Sequence, residues 1–340
     1  MAEQTLRHYL AIDDYLQSFI PAQALRQALR CGLIDALTEP QTQAQLETDF
    51  ALQPSGCRLQ LALLASIGVC VTSDAGWQLS APFRELLRYR DLIAAKLEFA
   101  AHLAPDLLDG GAAFFGDTQR FMAEAKTFEL FDYQRCYQIT PANLTATAQW
   151  VELTSAYTRY EAPVLSTLCD FGGARQLVDL GGNSGEAALQ LCQRWPQLEV
   201  TVVDLPVVCE VGRQRLAGAP LAARIGFLPG DLLEQPPPQR FQLALYKSFL
   251  HDWPEQAVDL LLERAWQALQ PGGELIIFER QQSSEPSTRY GDLPILLFAS
   301  FYRQAQVYIE KLSARGFVLL EQQQLTLDWP FMLLRAQKPS

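Results

Sequence analysis

The fold is decided by the stretch Leu177-Val178-Asp179-Leu180-Gly181-Gly182-Asn183-Ser184-Gly185. It opens with the short apolar run expected of a buried strand, and a helix is predicted directly after it, from Ala187 to Trp195. Glycines at a strand-to-helix turn let the backbone bend sharply and approach a ligand closely. Asn183 suits the same turn, because asparagine accepts positive φ more readily than most residues. The stretch therefore predicts a ligand-binding turn, with a spacing unlike the GxGxxG of pyrophosphate-binding loops.

Strands and helices alternate from this stretch toward the end of the sequence. Further elements are predicted as strands at 200–203, 243–246 and 275–278, and as helices at 207–216 and 256–269. Such alternation is typical of a parallel, doubly wound sheet. We therefore predict an α/β fold with a Rossmann-like domain over residues 171–340.

Residues 1–100 show helical spacing of apolar residues instead. Helices are predicted through Leu37, over 42–50 and over 54–68, and a hairpin then joins 69–71 to 77–79. This is the outline of a winged helix, which either binds DNA or serves as a dimerisation or scaffold module. We favour the second role because the chain has 38 acidic residues against 27 Lys and Arg, a net charge of −11. Phosphate binding requires a positive surface.

Residues 101–170 are predicted to be a helical linker region that contributes to the substrate pocket. A break is expected at Asp109-Gly110-Gly111. One long helix is expected from Trp150 to Leu168, interrupted or restarted near Pro163 because proline disfavours the helix interior.

Composition argues against several other classes. The densest apolar run, from Leu61 to Val71, is far shorter than the ~20 residues of a membrane-spanning helix. The residues after Met1 lack the pattern of a secretory signal. The 7 cysteines are scattered without a CxxC pair, which predicts reduced thiols and no metal site. We therefore predict a cytoplasmic protein that binds neither membrane nor nucleic acid.

Two acids follow later strands of the predicted sheet. Asp204 ends the second strand, where a carboxylate can bind the hydroxyls of a ribose. Gly230-Asp231-Leu232 follows at the next strand end, where Asp231 can accept from an adenine amino group and Leu232 can contact the ring. Because ligands of open α/β sheets bind outside the carboxyl ends of the strands, these residues predict a nucleoside site.

Several segments together resemble the class I S-adenosylmethionine-dependent O-methyltransferases, of the plant caffeate and acetylserotonin type and their bacterial secondary-metabolite relatives. The matching segments are Val178-Asp179-Leu180-Gly181-Gly182, Val203-Asp204-Leu205-Pro206, Gly230-Asp231-Leu232, Lys247-Ser248-Phe249-Leu250-His251-Asp252-Trp253 and Pro271-Gly272-Gly273-Glu274-Leu275-Ile276-Ile277-Phe278-Glu279. The resemblance covers nearly the whole chain, and its most specific part is His251-Asp252-Trp253.

The resemblance implies a homodimer that binds S-adenosylmethionine and a small-molecule acceptor. It places at the cofactor Asp179, Gly181, Gly182, Gly185, Asp204, Leu205, Gly230, Asp231, Leu232 and Lys247. It implies that His251 is the general base and that Glu279 orients it. For the acceptor it points to Trp150 and Thr154, at positions that are usually phenylalanine and methionine. Phe298, Phe301 and Tyr302 form an aromatic cluster that either lines the acceptor pocket or packs in the core.

The chemistry expected of this constellation is methyl transfer to a phenol-like hydroxyl. A phenol has a pKa near ~10 and a histidine near ~6.5, so His251 can take the proton as the oxygen attacks. The sequence departs from the family at Asn183, which replaces a glycine, and at Tyr302, which replaces a second acid that orients the histidine. We also expect Asp252 to cap the next helix, with Glu255 completing a capping box.

Other functions stay open at this point. The same scaffold can methylate nitrogen or carbon, or use the bound cofactor in a rearrangement, hydroxylation or decarboxylation. A winged-helix regulator that senses a small molecule requires a basic face, which Arg26 and Arg30 alone do not make. An NAD-dependent dehydrogenase is disfavoured by the missing GxGxxG spacing.

Overall fold

A computed structural model describes residues 19–239, 241–285 and 289–340. The chain divides into two compact units, with the boundary between Glu98 and Phe99. The predicted segments 101–170 and 171–340 thus belong to one compact unit. The first eighteen residues of the predicted N-terminal domain lie outside the described residues.

The first unit contains short helices and a hairpin, as the sequence predicts. Its elements are α1 Ile20–Cys31, α2 Leu33–Ala36, α3 Gln43–Asp49, α4 Pro54–Ser66, β1 Cys70–Ser73, β2 Gly76–Leu79 and α5 Ala81–Leu86. Thr42 and Gln45 form a capping box at the start of α3. Strands β1 and β2 pair antiparallel, so the predicted hairpin is confirmed.

Long helices follow, and one of them corrects a prediction. They are α6 Arg90–Gly116, α7 Thr118–Glu124 and α8 Pro141–Leu168, with 3₁₀ turns at Lys126–Phe131 and Tyr133–Tyr137 before α8. The break expected near Gly110 is confirmed as a kink in α6. The interruption expected at Pro163 is wrong, because α8 runs through it. Side chains are buried on both sides of the proline, at Val151 and Leu165, and this packing keeps the helix continuous.

The second unit is built on a seven-stranded mixed sheet in the order β5-β4-β3-β6-β7-β9-β8. Its strands are β3 Gln176–Leu180, β4 Glu199–Asp204, β5 Ile225–Pro229, β6 Phe241–Lys247, β7 Leu269–Arg280, β8 Val318–Thr326 and β9 Pro330–Gln337. The remaining helices are α9 Glu186–Arg194, α10 Pro206–Leu216, α11 Glu255–Ala268, α12 Leu293–Phe298 and α13 Ala305–Arg315.

The strands predicted from the sequence pair in parallel, but the sheet continues at one edge into antiparallel strands that were not predicted. Strands β3 to β7 pair in parallel, whereas β9 is antiparallel to both β7 and β8. Only the short segment 327–329 separates β8 from β9, and a connection of this length joins antiparallel strands without a crossover helix.

Both faces of the sheet are buried, which explains the apolar runs of its central strands. Along β7, Leu275 and Ile277 pack in one hydrophobic cluster, and Ile276 and Phe278 pack in the other. Helices and loops cover both faces of the sheet. The carboxyl ends of the five parallel strands are therefore where a site can form.

Candidate active site

A cavity of about 540 Å³ opens at the carboxyl ends of the parallel strands. Each strand contributes a lining residue at or just beyond its end, namely Gly181, Asp204, Gly230, Lys247 and Arg280. The volume lies within the range of ~300–1,000 Å³ usual for small-molecule sites.

Most of the residues predicted for the site meet in this cavity. The predicted residues that line it are Trp150, Thr154, Gly181, Asp204, Leu205, Gly230, Asp231, Leu232, Lys247, His251, Phe298 and Tyr302. The others, Asp179, Gly182, Gly185 and Glu279, are not among its lining residues. Of these four, Glu279 contacts His251, which does line it.

The glycine turn after β3 packs tightly against Phe249 and Asp179. Gly181, Asn183 and Gly185 have φ values of 70°, 55° and 75°, in the left-handed region. A Cβ atom on Gly181 would lie 2.2 Å from the ring of Phe249, and one on Gly182 would lie 2.5 Å from the carboxyl group of Asp179. Both the backbone angles and the lack of space therefore require glycine at Gly181.

Replacing Gly181 with alanine is expected to destabilise the protein by about 1–3 kcal/mol, because the side chain is strained at positive φ and meets the Phe249 ring. A melting curve should show a drop of ~2–4 °C for each kcal/mol. The matched control is Gly173→Ala, where an added Cβ has no neighbour within 4 Å. Equal melting temperatures for the two variants would contradict the role assigned to Phe249.

Asp204 holds the turn and also faces the cavity. Its Oδ2 accepts from the backbone N–H of Asn183 at 2.9 Å, and its Oδ1 accepts from that of Leu205 at 2.8 Å. Burial raises the pKa of Asp204 to about 6, although the two backbone hydrogen bonds act in the opposite direction. The Asp204 carboxyl group thus holds the backbone of the glycine turn and also forms part of the cavity wall.

Asp179 lies beneath the turn rather than in the cavity wall. Its side chain is 1% exposed, and its Oδ2 has no hydrogen-bond partner within the described ranges. Burial raises the pKa of Asp179 to about 7, against the opposing effect of Lys247. Asp179 therefore lies directly against Gly182, and its carboxyl group occupies the space that a side chain at that glycine would need.

Asp231 lies after β5 and is bonded on both oxygens. Oδ1 accepts from the backbone N–H of Leu233 at 2.8 Å, and Oδ2 accepts from the hydroxyl of Tyr137. The hydrogen bond to Asp231 and burial raise the pKa of Tyr137 to about 12, so the phenol stays protonated. Tyr137 could not be predicted from the sequence, because a 3₁₀ turn shows no periodic pattern and this one lies far from Asp231 along the chain.

His251 is held by a carboxylate that is itself fixed. Its Nδ1 lies 2.6 Å from Oε2 of Glu279, which is fully buried. The other oxygen of Glu279 accepts from the backbone N–H groups of Phe249 and Leu250, both at 2.7 Å. Glu279 therefore contacts Nδ1 of His251, as expected for an acid that orients the ring. The other ring nitrogen, Nε2, is not bonded to Glu279.

Asp252 does not cap the next helix, so that prediction is wrong. Helix α11 begins at Glu255 after Pro254, with no side-chain cap. Asp252 instead accepts from the hydroxyl of Tyr133 at 3.2 Å, and its Oδ1 lies 3.4 Å from Nε2 of His251. The short 3₁₀ turn that precedes α11 points the acid toward the histidine.

The pKa of His251 is raised above its ordinary value of 6.5. Burial acts to lower it, but the negative charges of Glu279 and Asp252 outweigh that effect. The protonated form is thus stabilised from two sides, which suits a group that receives a proton during a reaction.

Aromatic rings surround the face of His251. The ring of Tyr302 lies 5.1 Å from the imidazole and that of Phe298 lies 6.4 Å away, both at steep angles. Tyr302, where the resemblance leads one to expect a second acid, therefore makes an edge-to-face ring contact with His251. Phe301 lines the same cavity, so the predicted aromatic cluster faces the site.

Of the two predicted acceptor residues on α8, Thr154 contacts the glycine turn. Thr154 donates its hydroxyl to the backbone oxygen of Trp150 at 3.1 Å and accepts from the side-chain amide of Asn183 at 3.2 Å. Trp150 is buried and packs against Phe131 and Tyr133. Helix α8 therefore joins the turn to the aromatic part of the cavity.

A buried charge cluster at the cavity wall was missed by the sequence analysis. Lys247 donates to Glu161 on α8, and Glu161 also accepts from Arg280 at the end of β7. Burial acts to raise the pKa of Glu161, but Arg280 and Lys247 outweigh it and lower the pKa to about 2. Because Lys247 and Arg280 are far from Glu161 in sequence, no local motif indicates the cluster.

Two absences concern the described part of the chain. No group of His, Cys, Asp and Glu side chains in it has the arrangement of a metal site. None of its helices combines the length and the apolar character that crossing a membrane requires.

Comparisons with known proteins agree with this architecture. The mitomycin biosynthesis 6-O-methyltransferase of Streptomyces lavendulae is 28% identical over 295 residues, which cover 84% of this chain and 82% of the relative. The structure of the mitomycin 7-O-methyltransferase MmcR matches with a TM-score of 0.74 at 23% identity, covering 99% of this chain and all of that one. Human N-acetylserotonin methyltransferase, solved with S-adenosylmethionine, matches with a TM-score of 0.73 at 20% identity over 98% of each chain.

The structural likenesses show a shared fold, and the sequence shows the family. The O-methyltransferase domain family matches residues 120–318, a segment that begins before α8 and ends in β8. This segment is more than half of the chain and contains both the glycine turn and His251. The chain belongs to the S-adenosylmethionine-dependent O-methyltransferase family.

Proposed function

We propose that the cavity binds S-adenosylmethionine through the glycine turn and the strand-end acids. The lining residues include four acids, Glu161, Asp204, Asp231 and Asp252, against two bases, Lys247 and Arg280. A surplus of negative charge suits a cationic nucleoside and disfavours the pyrophosphate of NAD. Oδ1 of Asn183 is also buried without a partner within the described ranges, which leaves an acceptor for a ligand donor in the turn.

Each part of the nucleoside has a matching side chain. In this proposal Asp204 binds the ribose hydroxyls, and Asp231 with Leu232 binds the adenine; all three line the cavity. Gly181 and Lys247, which line the same cavity, would hold the remaining, methionine-derived part. Bound S-adenosylmethionine supplies a methyl group on a positively charged sulfur, which is already activated for attack by an oxygen.

The acceptor is a small hydroxylated aromatic molecule. Its side of the cavity is mostly apolar and aromatic, with Phe99, Met122, Phe128, Phe131, Ile295, Phe298, Phe301 and Tyr302. Flat rings pack well against such walls in offset or edge-to-face arrangements. Trp150 and Thr154 close the same space from α8.

His251 acts as the general base. The observation that carries this proposal is the 2.6 Å contact between Nδ1 and Glu279, since a carboxylate there keeps the proton on Nδ1 and leaves Nε2 to accept. As the acceptor oxygen attacks, Nε2 takes its proton. The residues around the cavity hold donor and acceptor in line, and alignment of this kind can supply up to ~7–11 kcal/mol of the barrier.

The test of the proposed function measures both cofactor binding and the product of the reaction. Calorimetry should detect binding of S-adenosylhomocysteine but not of NAD, and incubation with methyl-labelled cofactor and a panel of phenols should give a labelled methyl ether. Lack of binding by well-folded protein would refute the cofactor site. If S-adenosylhomocysteine binds but the label appears on nitrogen or carbon, or the product is unmethylated, another reaction on the same scaffold is favoured. Tyr302 in place of the second acid supports this alternative.

The charge of Glu279 predicts a shift in the pH profile. In the wild type, kcat/KM should rise with pH as His251 loses its proton, with a midpoint above 6.5. Glu279→Gln removes an influence that raises the pKa of His251 while burial still lowers it. We expect the midpoint to move to lower pH and the plateau to fall by about tenfold or more, because the imidazolium loses its partner.

The matched control is Glu274→Gln on the same strand, where the acid pairs with Arg335 outside the cavity. Its pH profile should be that of the wild type. A midpoint that stays in place or moves to higher pH in Glu279→Gln would contradict the assigned role.

We also propose that the first unit is a dimerisation module of a cytoplasmic homodimer. Apolar side chains lie exposed on it, including Ile20, Leu59 and Ile67. The cysteines are free thiols, most of them buried, which suits a reducing compartment. Light scattering coupled to gel filtration should give twice the chain mass of 38.1 kDa. A monomer at micromolar concentration would contradict the dimer.

A further inference from the structure

Arg280 is a buried cation in the wall of the cavity. It ends β7, directly after Glu279, and it lines the same cavity as His251. The residue is 7% exposed, and its guanidinium carbon lies 4.7 Å from the ring centre of Phe331 and 5.8 Å from that of Tyr157. These rings fix the plane of the guanidinium group.

Only part of this guanidinium group is hydrogen-bonded. All its bonds are made by Nη2, to Glu161 and to both carboxylate oxygens of Asp328 at 3.2 Å. Within the described ranges, Nε is buried without a partner and Nη1 makes no hydrogen bond. Nε is enclosed by the protein, whereas Nη1 is not among the enclosed atoms and keeps its N–H donors unbonded at the cavity wall. Because unsatisfied donors in a largely buried place are costly, an acceptor oxygen in the cavity gains a favourable position beside Nη1.

The surrounding charges decide which kind of oxygen fits. Arg280 and Lys247 balance Glu161 and Asp328, so this cluster is already neutral. A carboxylate bound here would leave a net negative charge in a buried place, which is costly. A carbonyl oxygen accepts a hydrogen bond and adds no charge.

We infer that Arg280 binds a carbonyl oxygen of the acceptor, and that the acceptors of this enzyme are hydroxylated aromatic ketones or quinones. This inference rests on the proposed function, because it takes the aromatic side of the cavity as the acceptor site. Arg280 holds the carbonyl while His251 faces the hydroxyl on the same ring system. The two residues together select which hydroxyl is methylated.

The experiment compares two ligands that differ in the carbonyl groups. The probes are a hydroxylated naphthoquinone and the corresponding naphthol, titrated by calorimetry into protein saturated with S-adenosylhomocysteine. The wild type should bind the quinone about ten- to a hundredfold more tightly, the usual range for one hydrogen bond to a charged group. This comparison requires neither a variant nor turnover.

The variant Arg280→Lys keeps the charge but loses the planar fork of donors. It should lose most of the preference for the quinone, whereas its affinity for the naphthol and for S-adenosylhomocysteine should change by less than about threefold. Arg280→Gln is the second variant, and a melting curve checks the fold of both. The same preference should appear in kcat/KM where either ligand is methylated.

Three outcomes would overturn the inference. They are equal wild-type affinities for the two ligands, an equal loss for both ligands in the variants, and a loss confined to S-adenosylhomocysteine, which would place Arg280 at the carboxylate of the cofactor. Failure of the proposed function looks different. In that case the wild type would bind the quinone selectively without transferring a methyl group to it.

Discussion

Replacing His251 with alanine is expected to lower kcat/KM for methyl transfer by about 10²- to 10⁴-fold, the usual contribution of a positioned general base. Without Nε2, the acceptor hydroxyl has no group to take its proton as it attacks. Affinity for S-adenosylhomocysteine should stay within about threefold, because the glycine turn and the strand-end acids are untouched. Labelled methyl transfer and calorimetry measure the two quantities separately.

The matched control is His102→Ala, because His102 is exposed on α6 and does not line the cavity. This variant should keep the wild-type rate. Glu279 keeps its two backbone hydrogen bonds when His251 is removed, so we expect the variant to fold, and a melting curve checks this. Wild-type activity in folded His251→Ala would remove the base from the proposed reaction.

Replacing Asp204 with alanine is expected to weaken binding of S-adenosylhomocysteine by at least tenfold and up to about a hundredfold. One hydrogen bond to a charged group is worth ~1.5–3 kcal/mol, and each 1.4 kcal/mol is tenfold in affinity. The substitution removes the carboxylate placed for the ribose hydroxyls. It also leaves the N–H groups of Asn183 and Leu205 without their acceptor, which loosens the turn. Calorimetry gives the dissociation constant.

The control is Glu199→Ala, an exposed acid at the opposite end of the same strand. It should bind S-adenosylhomocysteine as the wild type does. If Asp204→Ala retained wild-type affinity, the nucleoside would have to bind elsewhere in the cavity.

The parts of the fold that the sequence predicts are those set by local patterns. Strands β3, β4, β6 and β7 are apolar runs, and the glycine turn and Asp204 follow directly from the first two of them. Antiparallel β9 was missed, because its buried residues resemble those of a parallel strand. The exposed edge strand β8, with Val318 and Leu319 on its surface, gives no clear alternation.

The site residues that escaped prediction come together only in the folded chain. Tyr133 and Tyr137 lie in 3₁₀ turns and reach acids about a hundred residues further along the sequence. Glu161 and Arg280 meet across a similar separation. The position of Asp252 depended on whether the helix began at Pro254 or one turn earlier, and short-range capping rules do not decide such a boundary.

The bracing of Gly181 by the Phe249 ring bears on how the enzyme releases its spent cofactor. Since the turn is held in shape by packing and by Asp204, a ligand that binds there loses little entropy in ordering it. In the proposed binding mode this rigid surface contacts the nucleoside, which is common to the methyl donor and its demethylated by-product. The same contacts should therefore hold both, and we expect exchange to depend on the acidic wall, which binds the by-product less tightly once the positive charge is lost with the methyl group.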